Sequence, residues 1–295
     1  MYKDNKVLLS RARSKYLSFG LSVNLKQNNP DSPLNKSYFG SMLCSGVMRQ
    51  EGRKLITTYC KQRWCAVCNK IRTAKSISGY LPVVRALDEL YFVTLTKRTV
   101  NAEDLKDSID LMNKTWRQLM KKAIRKRTLF QGIRKAECTI RPHGLYHYHF
   151  HVIISGKKNA EWLVKEWLKL LDCEADQKAQ DFRKADEQSL KEIFKYFTKL
   201  TTGDKGGGRK LYDYSRMDVI FQAMRNRRVF QPFGGLRILS EDIEDINGQD
   251  FECLEEAEQV WKWHSEDWIN AVGECLTGYK PSDNFKEIFN STIGN

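Results

Sequence analysis

The stretch HYHFHVII (residues 147–154) decides how the middle of this chain folds. Imidazoles alternate here with large apolar side chains, and successive side chains of a β-strand point to opposite faces of the sheet. The pattern predicts a strand over 146–154 with three histidines on one face and an apolar opposite face. Neutral imidazoles one strand step apart can hold a divalent cation together, whereas the alternative is a His-rich strand that binds no metal.

A second predicted strand, 136–141, precedes the histidine strand and carries Glu137. Its carboxylate could bind the cation as a third ligand, together with His149 and His151. His147 is the alternative third ligand. Mixed nitrogen and oxygen ligation suits Mn²⁺ or Mg²⁺, ions that bind a phosphate group and polarise it.

The order of predicted elements indicates the fold. Residues 91–96 (YFVTLT) have the β-branched and aromatic composition of a strand, and apolar residues recur at helical spacing in the segments that lie between and after the strands. The predicted helices are 69–90 (interrupted by Gly79 and Pro82), 103–127, 160–171, 189–200 and 215–226. This order predicts an α+β fold, with an antiparallel central sheet, flanking helices and a split βαβ arrangement.

The predicted helix 189–200 carries a candidate nucleophile. Glu192, Tyr196 and Lys199 are spaced i, i+4 and i+7 and therefore share one stripe, with Lys195 beside them. A tyrosine can attack a phosphodiester by covalent catalysis, with Lys199 stabilising negative charge, Glu192 activating water for a second cleavage, and Lys195 contacting DNA. The alternative is an ordinary amphipathic helix with a surface tyrosine.

Four cysteines near the amino terminus are spaced C-x15-C-x4-C-x2-C: Cys44, Cys60, Cys65 and Cys68. Four thiolates would bind Zn²⁺ tetrahedrally and leave no open position, so the predicted zinc site is structural. The alternative is a set of buried, reduced thiols. Basic residues interleave with the cluster and are candidates for DNA contact: Lys61, Arg63 and Arg72.

Charge is distributed unevenly along the 295 residues, which carry a net charge of +14. The last segment, 241–295, has 14 acidic and three basic residues, so the remainder has a net charge of +25. A segment that basic suits a nucleic acid, although a solvated basic surface is the alternative. No run of about 18 apolar residues indicates a membrane span, and the first residues have no apolar signal core, so we expect a cytoplasmic protein.

Together these motifs resemble those of the rolling-circle plasmid replication initiators, members of the HUH endonuclease superfamily. The resemblance covers roughly 44–240, with the elements in the family's order, and Tyr148 stands where the family often has Pro. The segments that carry it are CKQRWCAVC (60–68), YFVTLT (91–96), HYHFHVII (147–154), KEIFKYFTK (191–199) and MDVIFQAMRNRRVFQPFGGLR (217–237).

The resemblance implies a replication cycle of the single-tyrosine type. The protein would bind its plasmid's double-strand origin, nick one exposed strand and keep the 5′ phosphate on Tyr196, while the free 3′ OH primes a host polymerase. Glu192 would take part in termination, in which the circle is released by cutting and rejoining. No G-x-x-x-x-G-K-[ST] motif is present, so a host helicase is implied. The oligomeric state stays open, with a homodimer among the options.

The resemblance implies a bacterial cytoplasmic location, and together with composition and charge it predicts a linear division of the chain. We expect a flexible arm over 1–43, a four-cysteine zinc segment and helix over 44–90, the HUH endonuclease domain over 91–240, and an acidic tail over 241–295. The tail could solubilise the protein, shield its basic part or dock a partner through its tryptophans.

Two kinds of rival remain at the level of sequence. A relaxase or a single-strand transposase of the same superfamily would use the same chemistry. A non-catalytic zinc protein that only binds nucleic acid would explain the charge and the cysteines, but not the coexistence of the histidine strand and the tyrosine helix.

Overall fold

The computed structural model describes residues 6–126, 130–194, 201–202, 211–238, 251–283 and 285–286, with no side-chain description for 53, 201–202, 211–212 and 251–257. The chain divides into two units. The first draws on the described residues within 1–74, 203–218 and 244–295, and the second on those within 75–202 and 219–243. Within the described ranges, we find no helix with the length and apolar character that a membrane crossing requires.

The helices have the following bounds: α1 (Lys6–Asn28), α2 (Asn35–Leu43), α3 (Ala66–Arg85), α4 (Leu105–Arg125), α5 (Lys157–Leu171), α6 (Glu187–Phe194) and α7 (Tyr214–Met224). The strands are β1 (Val47–Thr57), β2 (Leu90–Thr96), β3 (Gly132–Ile140), β4 (Tyr146–Ser155), β5 (Asp181–Lys184), β6 (Thr201–Thr202), β7 (Leu211–Tyr212), β8 (Phe230–Phe233), β9 (Phe251–His264) and β10 (Asp267–Ile269).

The second unit is built on a five-stranded sheet of order β5-β2-β4-β3-β8, in which every neighbouring pair is antiparallel. The histidine strand β4 lies between β2 and β3, which α4 connects. This is the split βαβ arrangement, so the predicted α+β fold with an antiparallel central sheet is confirmed. The register places Glu137 opposite His149 on one side and Thr94 opposite His151 on the other.

The apolar face of β4 packs beneath α4 and α5. Trp116 from α4 and Trp167 from α5 meet Phe150 edge to face, at centroid distances of 5.9 and 5.7 Å, and all three rings are buried. Such pairs contribute about 0.5–1.5 kcal/mol beyond the area they bury. The amphipathic helix predicted for 103–127 is therefore present as α4, and its apolar side covers one face of the sheet.

The opposite face of the sheet receives α6. Leu190, Ile193 and Phe194 on this helix share a core cluster with Phe92 and Ile153 of the sheet. Because Ile153 lies two residues after His151 on the same strand, the helix packs on the histidine face. The histidine face of β4 and the apolar side of α6 therefore contact each other.

The first unit has its own three-stranded antiparallel sheet, of order β1-β9-β10. Met48 pairs with Trp261 in this sheet, and both are buried with Leu8 of α1. Asp267 stabilises the end of the sheet, because its carboxylate accepts hydrogen bonds from the backbone N–H groups of Thr277 and Gly278.

The prediction of a flexible arm over 1–43 is wrong for the part that the structure describes. Two helices, α1 and α2, occupy this segment. The polar composition was misleading because α1 buries polar residues such as Arg11, Lys15 and Ser18 along with its few apolar ones. These polar side chains have partners elsewhere in the first unit.

The prediction of an acidic tail over 241–295 is also wrong for the described residues of that segment. β9 is the central strand of the first unit's sheet, and β10 pairs with it. Trp261 and Trp268 are 3% and 0% exposed. These two tryptophans are therefore core residues and do not serve as docking groups.

Two smaller differences from the predictions concern helix α3 and strand β5. Helix α3 continues past Gly79 and Pro82, although a proline inside a helix costs about 3 kcal/mol. Tyr80 and Val84 pack into the core of the second unit and offset that cost. The polar edge strand β5 was missed because none of its four residues is buried.

The ring cluster generates a stability prediction. We expect Phe150→Ala to lower the free energy of unfolding by about 3–5 kcal/mol, because the change removes a ring packed between two tryptophans. Urea unfolding of the full chain, followed by near-UV circular dichroism, measures this loss. Ile124→Ala on α4 is the control, since Ile124 is 76% exposed and should change stability by less than about 0.5 kcal/mol. Equal losses in the two variants would contradict the assigned packing.

Candidate metal centre and nucleic-acid cleft

Three donor side chains converge on the histidine face of the second unit. Glu137, His149 and His151 each offer a ligand atom, and these atoms lie within 4.8 Å of one another. The two Nε2 atoms are 3.2 Å apart, and Glu137 Oε2 lies 3.6 Å from Nε2 of His151. Two neutral imidazole nitrogens and a carboxylate oxygen form a donor set that fits Mn²⁺ or another divalent cation of mixed preference.

Hydrogen bonds at the far side of each ring orient the imidazoles. Nδ1 of His149 lies 3.2 Å from the backbone carbonyl oxygen of His147. Because a carbonyl oxygen only accepts, Nδ1 carries the proton and Nε2 keeps its lone pair for a ligand. Nδ1 of His151 lies 3.2 Å from Oγ1 of Thr94 on the adjacent strand.

Burial keeps the inner imidazole uncharged. Burial first, and after it the neighbouring His151, lowers the pKa of His149 to about 3. A neutral ring is the form that binds a metal ion. At neutral pH the imidazole of His149 is therefore in the uncharged form that binds a metal ion.

The remaining histidine of the strand has a different environment. His147 does not belong to the convergent group, and its Nδ1 lies 3.1 Å from a guanidinium nitrogen of Arg141. Burial, and after it Arg141, lowers the pKa of His147 to about 4. Between the two candidates for third ligand, the geometry favours Glu137.

A buried lysine joins the donor group to α6. Lys135 is 2% exposed, and its Nζ lies 3.3 Å from Oε2 of Glu137. The same ammonium donates a hydrogen bond to the backbone carbonyl oxygen of Glu192, at 3.1 Å. The sequence analysis missed this residue, although its position two residues before Glu137 places it on the same face of β3.

The structure describes the predicted helix 189–200 only as far as Phe194. Glu192 lies on α6 and lines the same cleft as Glu137, His149 and His151. The other predicted residues of the stripe lie outside the described residues: Lys195, Tyr196 and Lys199.

The donor group lies in an open cleft of about 540 Å³. Arg141 and Arg183 contribute positive charge to its walls, whereas Glu137, Asp181 and Glu192 contribute carboxylates. Arg183 lies over the ring of Phe92, with 4.5 Å between the guanidinium carbon and the ring centroid. The sequence analysis missed the two β5 residues because it did not predict that strand. Because carboxylates outnumber guanidinium groups in this lining, a phosphodiester would depend on a cation bound by the donor group.

The four predicted zinc ligands come together in the first unit. Cys44, Cys60, Cys65 and Cys68 lie with their sulfur atoms within 4.8 Å of one another. Sγ of Cys68 lies 3.6 Å from that of Cys44 and 3.7 Å from that of Cys60. Tetrahedral zinc with bonds of about 2.3 Å requires sulfur separations near ~3.8 Å. The arrangement therefore fits a zinc centre with four cysteine ligands.

Basic residues around this cluster differ in their roles. Arg72 donates hydrogen bonds to the backbone carbonyl oxygens of Lys61 and Gln62, so its guanidinium braces the loop. Lys61 is exposed and Arg63 is half-buried. Burial lowers the pKa of Lys15, which also lies beside the cluster, to about 8, although the thiols of Cys44, Cys65 and Cys60 act in the opposite direction.

Comparison with known proteins gives consistent matches. A family model described as "Replication protein" (Rep_1) matches residues 52–270. A "Protein rep" of Lentilactobacillus hilgardii is 29% identical over 126 residues, which cover 39% of this chain and 40% of that protein. The "Protein rep" of Bacillus amyloliquefaciens is 28% identical over 235 residues, which cover 67% of this chain and 69% of that protein.

A third relative, the "Protein rep" of a Bacillus species, is 29% identical over 229 residues, which cover 66% of this chain and 73% of that protein. No solved structure matches the chain. The family model covers well over half of the sequence, and the resemblance to plasmid replication initiators is thereby confirmed. The chain belongs to the Rep_1 family of replication proteins.

Proposed function

We propose that this protein initiates rolling-circle replication of a plasmid by nicking one strand at the plasmid's double-strand origin. The phenol oxygen of Tyr196 attacks the scissile phosphorus, a phosphotyrosine bond forms to the 5′ end, and the bond to the 3′ oxygen breaks. The 3′ oxygen takes up a proton and leaves as a free 3′ OH, which primes a host polymerase. A host helicase separates the strands.

One observation carries this proposal: the side chains of Glu137, His149 and His151 converge on the sheet face against which α6 packs. Tyr196 follows the last described residue of this helix, Phe194, by two positions in the sequence. A Mn²⁺ or Mg²⁺ ion held by the three donors would bind the scissile phosphate and polarise it. The shared face supports a nucleophile and a phosphate site on the same side of the sheet.

The other residues of the stripe have supporting roles in the proposal. Lys199 stabilises the negative charge that develops on the phosphate, and Lys195 contacts the DNA backbone. Glu192 accepts a proton from water during the second cleavage, which ends the cycle before the circle is rejoined. Its position in the cleft supports that role.

The cysteine cluster has a structural role. Zinc bound to Cys44, Cys60, Cys65 and Cys68 would close its own coordination shell and shape a basic loop that includes Lys61. We assign no catalytic step to this centre.

The nicking reaction is tested by a covalent-adduct assay. The full-length protein is incubated with Mn²⁺ and a single-stranded oligonucleotide that spans the nick site of its own plasmid origin, and the products are separated on a denaturing gel. We expect a covalent adduct that is absent in Tyr196→Phe. Tyr91→Phe is the control, because Tyr91 lies on β2 among the residues of the opposite sheet face. Origin binding without any adduct in the unmodified protein would instead favour a non-catalytic binding module.

A pair of histidine variants tests the metal site in the same assay. His149→Ala should slow adduct formation by at least about 100-fold, since a metal supplies several kcal/mol of charge stabilisation and each ~1.4 kcal/mol is tenfold. His147→Ala is the matched control, on the same strand and face but outside the donor group, and should retain activity within about threefold. Loss of activity in His147→Ala with retention in His149→Ala would overturn the ligand assignment.

Replacement of the buried lysine tests how the donor group and α6 are connected. Lys135→Met keeps the length of the side chain but leaves Glu137 buried without its cation, a change that costs about 3–5 kcal/mol in the metal-free protein. Bound Mn²⁺ would offset this loss, so Mn²⁺ should raise the Tm of the variant by more than it raises that of the unmodified protein. Thermal unfolding with and without Mn²⁺ measures the difference, and equal increases would contradict the prediction.

A further inference from the structure

Helix α1 turns a stripe of polar side chains inward within the first unit. Arg11, Lys15 and Ser18 are spaced i, i+4 and i+7, so they share one face of the helix. Their exposed fractions are 6%, 0% and 0%. Two cations on the buried face of a single helix are costly unless negative charge lies nearby.

The contacts of this stripe lead to the cysteine cluster. Nζ of Lys15 donates hydrogen bonds to the backbone carbonyl oxygens of Met42 and Cys44, at 2.6 and 2.7 Å. The hydroxyl of Ser18 donates to Sγ of Cys65 at 3.2 Å. Helix α1 therefore contacts the backbone of Cys44 and the sulfur atom of Cys65.

The carbonyl oxygens are neutral and do not balance the charge of a buried ammonium. Among the residues that the structure describes, no carboxylate lies within ion-pair distance of Lys15. Arg11 lies beside Tyr59, with 5.5 Å between the guanidinium carbon and the ring centroid. Lys15 Nζ also lies 5.8 and 5.7 Å from the ring centroids of Phe19 and Trp263. Among the described residues, the ionised thiols of the cysteine cluster can supply its counter-charge.

The centre and the stripe carry charges of opposite sign. Four thiolates and one Zn²⁺ have a combined charge of about −2, since four negative charges are reduced by two. Arg11 and Lys15 together contribute about +2. In addition, the O–H···S hydrogen bond from Ser18 stabilises a thiolate more than a neutral thiol.

We propose that Arg11, Lys15 and Ser18 form the outer shell of a zinc site at Cys44, Cys60, Cys65 and Cys68, so that zinc binding and the docking of α1 are one coupled equilibrium. This inference rests on the zinc centre of the proposed function and not on the nicking chemistry. Both α1 and Cys44 precede residue 52, where the family match begins.

Two measurements on the full-length protein test the coupling. The first is the rate at which a colorimetric chelator removes zinc. Lys15→Met removes the charge at nearly constant length, and we expect zinc release at least about tenfold faster, in line with the usual effect of outer-shell changes. Lys26→Met is the matched control, because Lys26 lies on the same helix but is exposed, and it should release zinc at the unmodified rate.

Two further variants keep the test decisive if Lys15→Met fails to fold. Ser18→Ala removes only the hydrogen bond to Cys65 and should accelerate zinc release by a few-fold. Lys15→Arg keeps the positive charge and should release zinc close to the unmodified rate. Zinc release at the unmodified rate in Ser18→Ala, or in a folded Lys15→Met, would overturn the proposal.

The second measurement is hydrogen exchange of peptides within 6–28, before and after zinc is removed. We expect loss of amide protection along α1 in the zinc-free protein, because the buried cations then lose their counter-charge. Unchanged protection of α1 after zinc removal would overturn the coupling. A protein that binds no zinc at all would overturn both this inference and the zinc centre, while the Mn²⁺-dependent adduct assay would still report on the nicking proposal by itself.

Discussion

The two-residue alternation of β4, at the centre of the five-stranded sheet, is the constraint on which the second unit depends. A shift of one residue in its pairing would exchange the two faces, so that Phe150 would leave the tryptophans and the imidazoles would enter the apolar layer. Burial of the aromatic rings therefore sets the register, and the register in turn brings His149 opposite Glu137. The same packing that stabilises the sheet brings the metal donors together.

The second unit contains buried charges that lie beside specific partners. Glu137 has Lys135 as its partner, and the guanidinium of Arg134 lies 4.3 Å above the ring of Phe150 while it donates a hydrogen bond to Asn113. A buried charge is tolerated where a specific partner is close, and removal of that partner costs more than the pair itself contributes. Such pairs hold side chains in defined positions.

The elements that apolar periodicity predicts correctly are those that bury apolar faces, such as β4 and α4. The periodicity failed for α1, whose buried face includes Lys15 and Ser18, and for β5, whose residues lie at an edge. It failed again for the acidic segment, where Trp261 sits in a strand whose partner is remote in the chain. Within the site, the sequence named Glu137, His149 and His151, but the role of Lys135 depends on a carbonyl group of another element, which no local pattern specifies.

The sheet of the first unit pairs β1 with β9, two strands that lie about 200 residues apart in the chain. Strand β10 pairs with the other edge of β9. Pairings of such high sequence separation form late, since the intervening chain must first be brought together. During synthesis on the ribosome, the sheet of the second unit can therefore form before β9, the pairing partner of β1, has been synthesised. The order of synthesis thus delays completion of the first unit's sheet until β9 has been made.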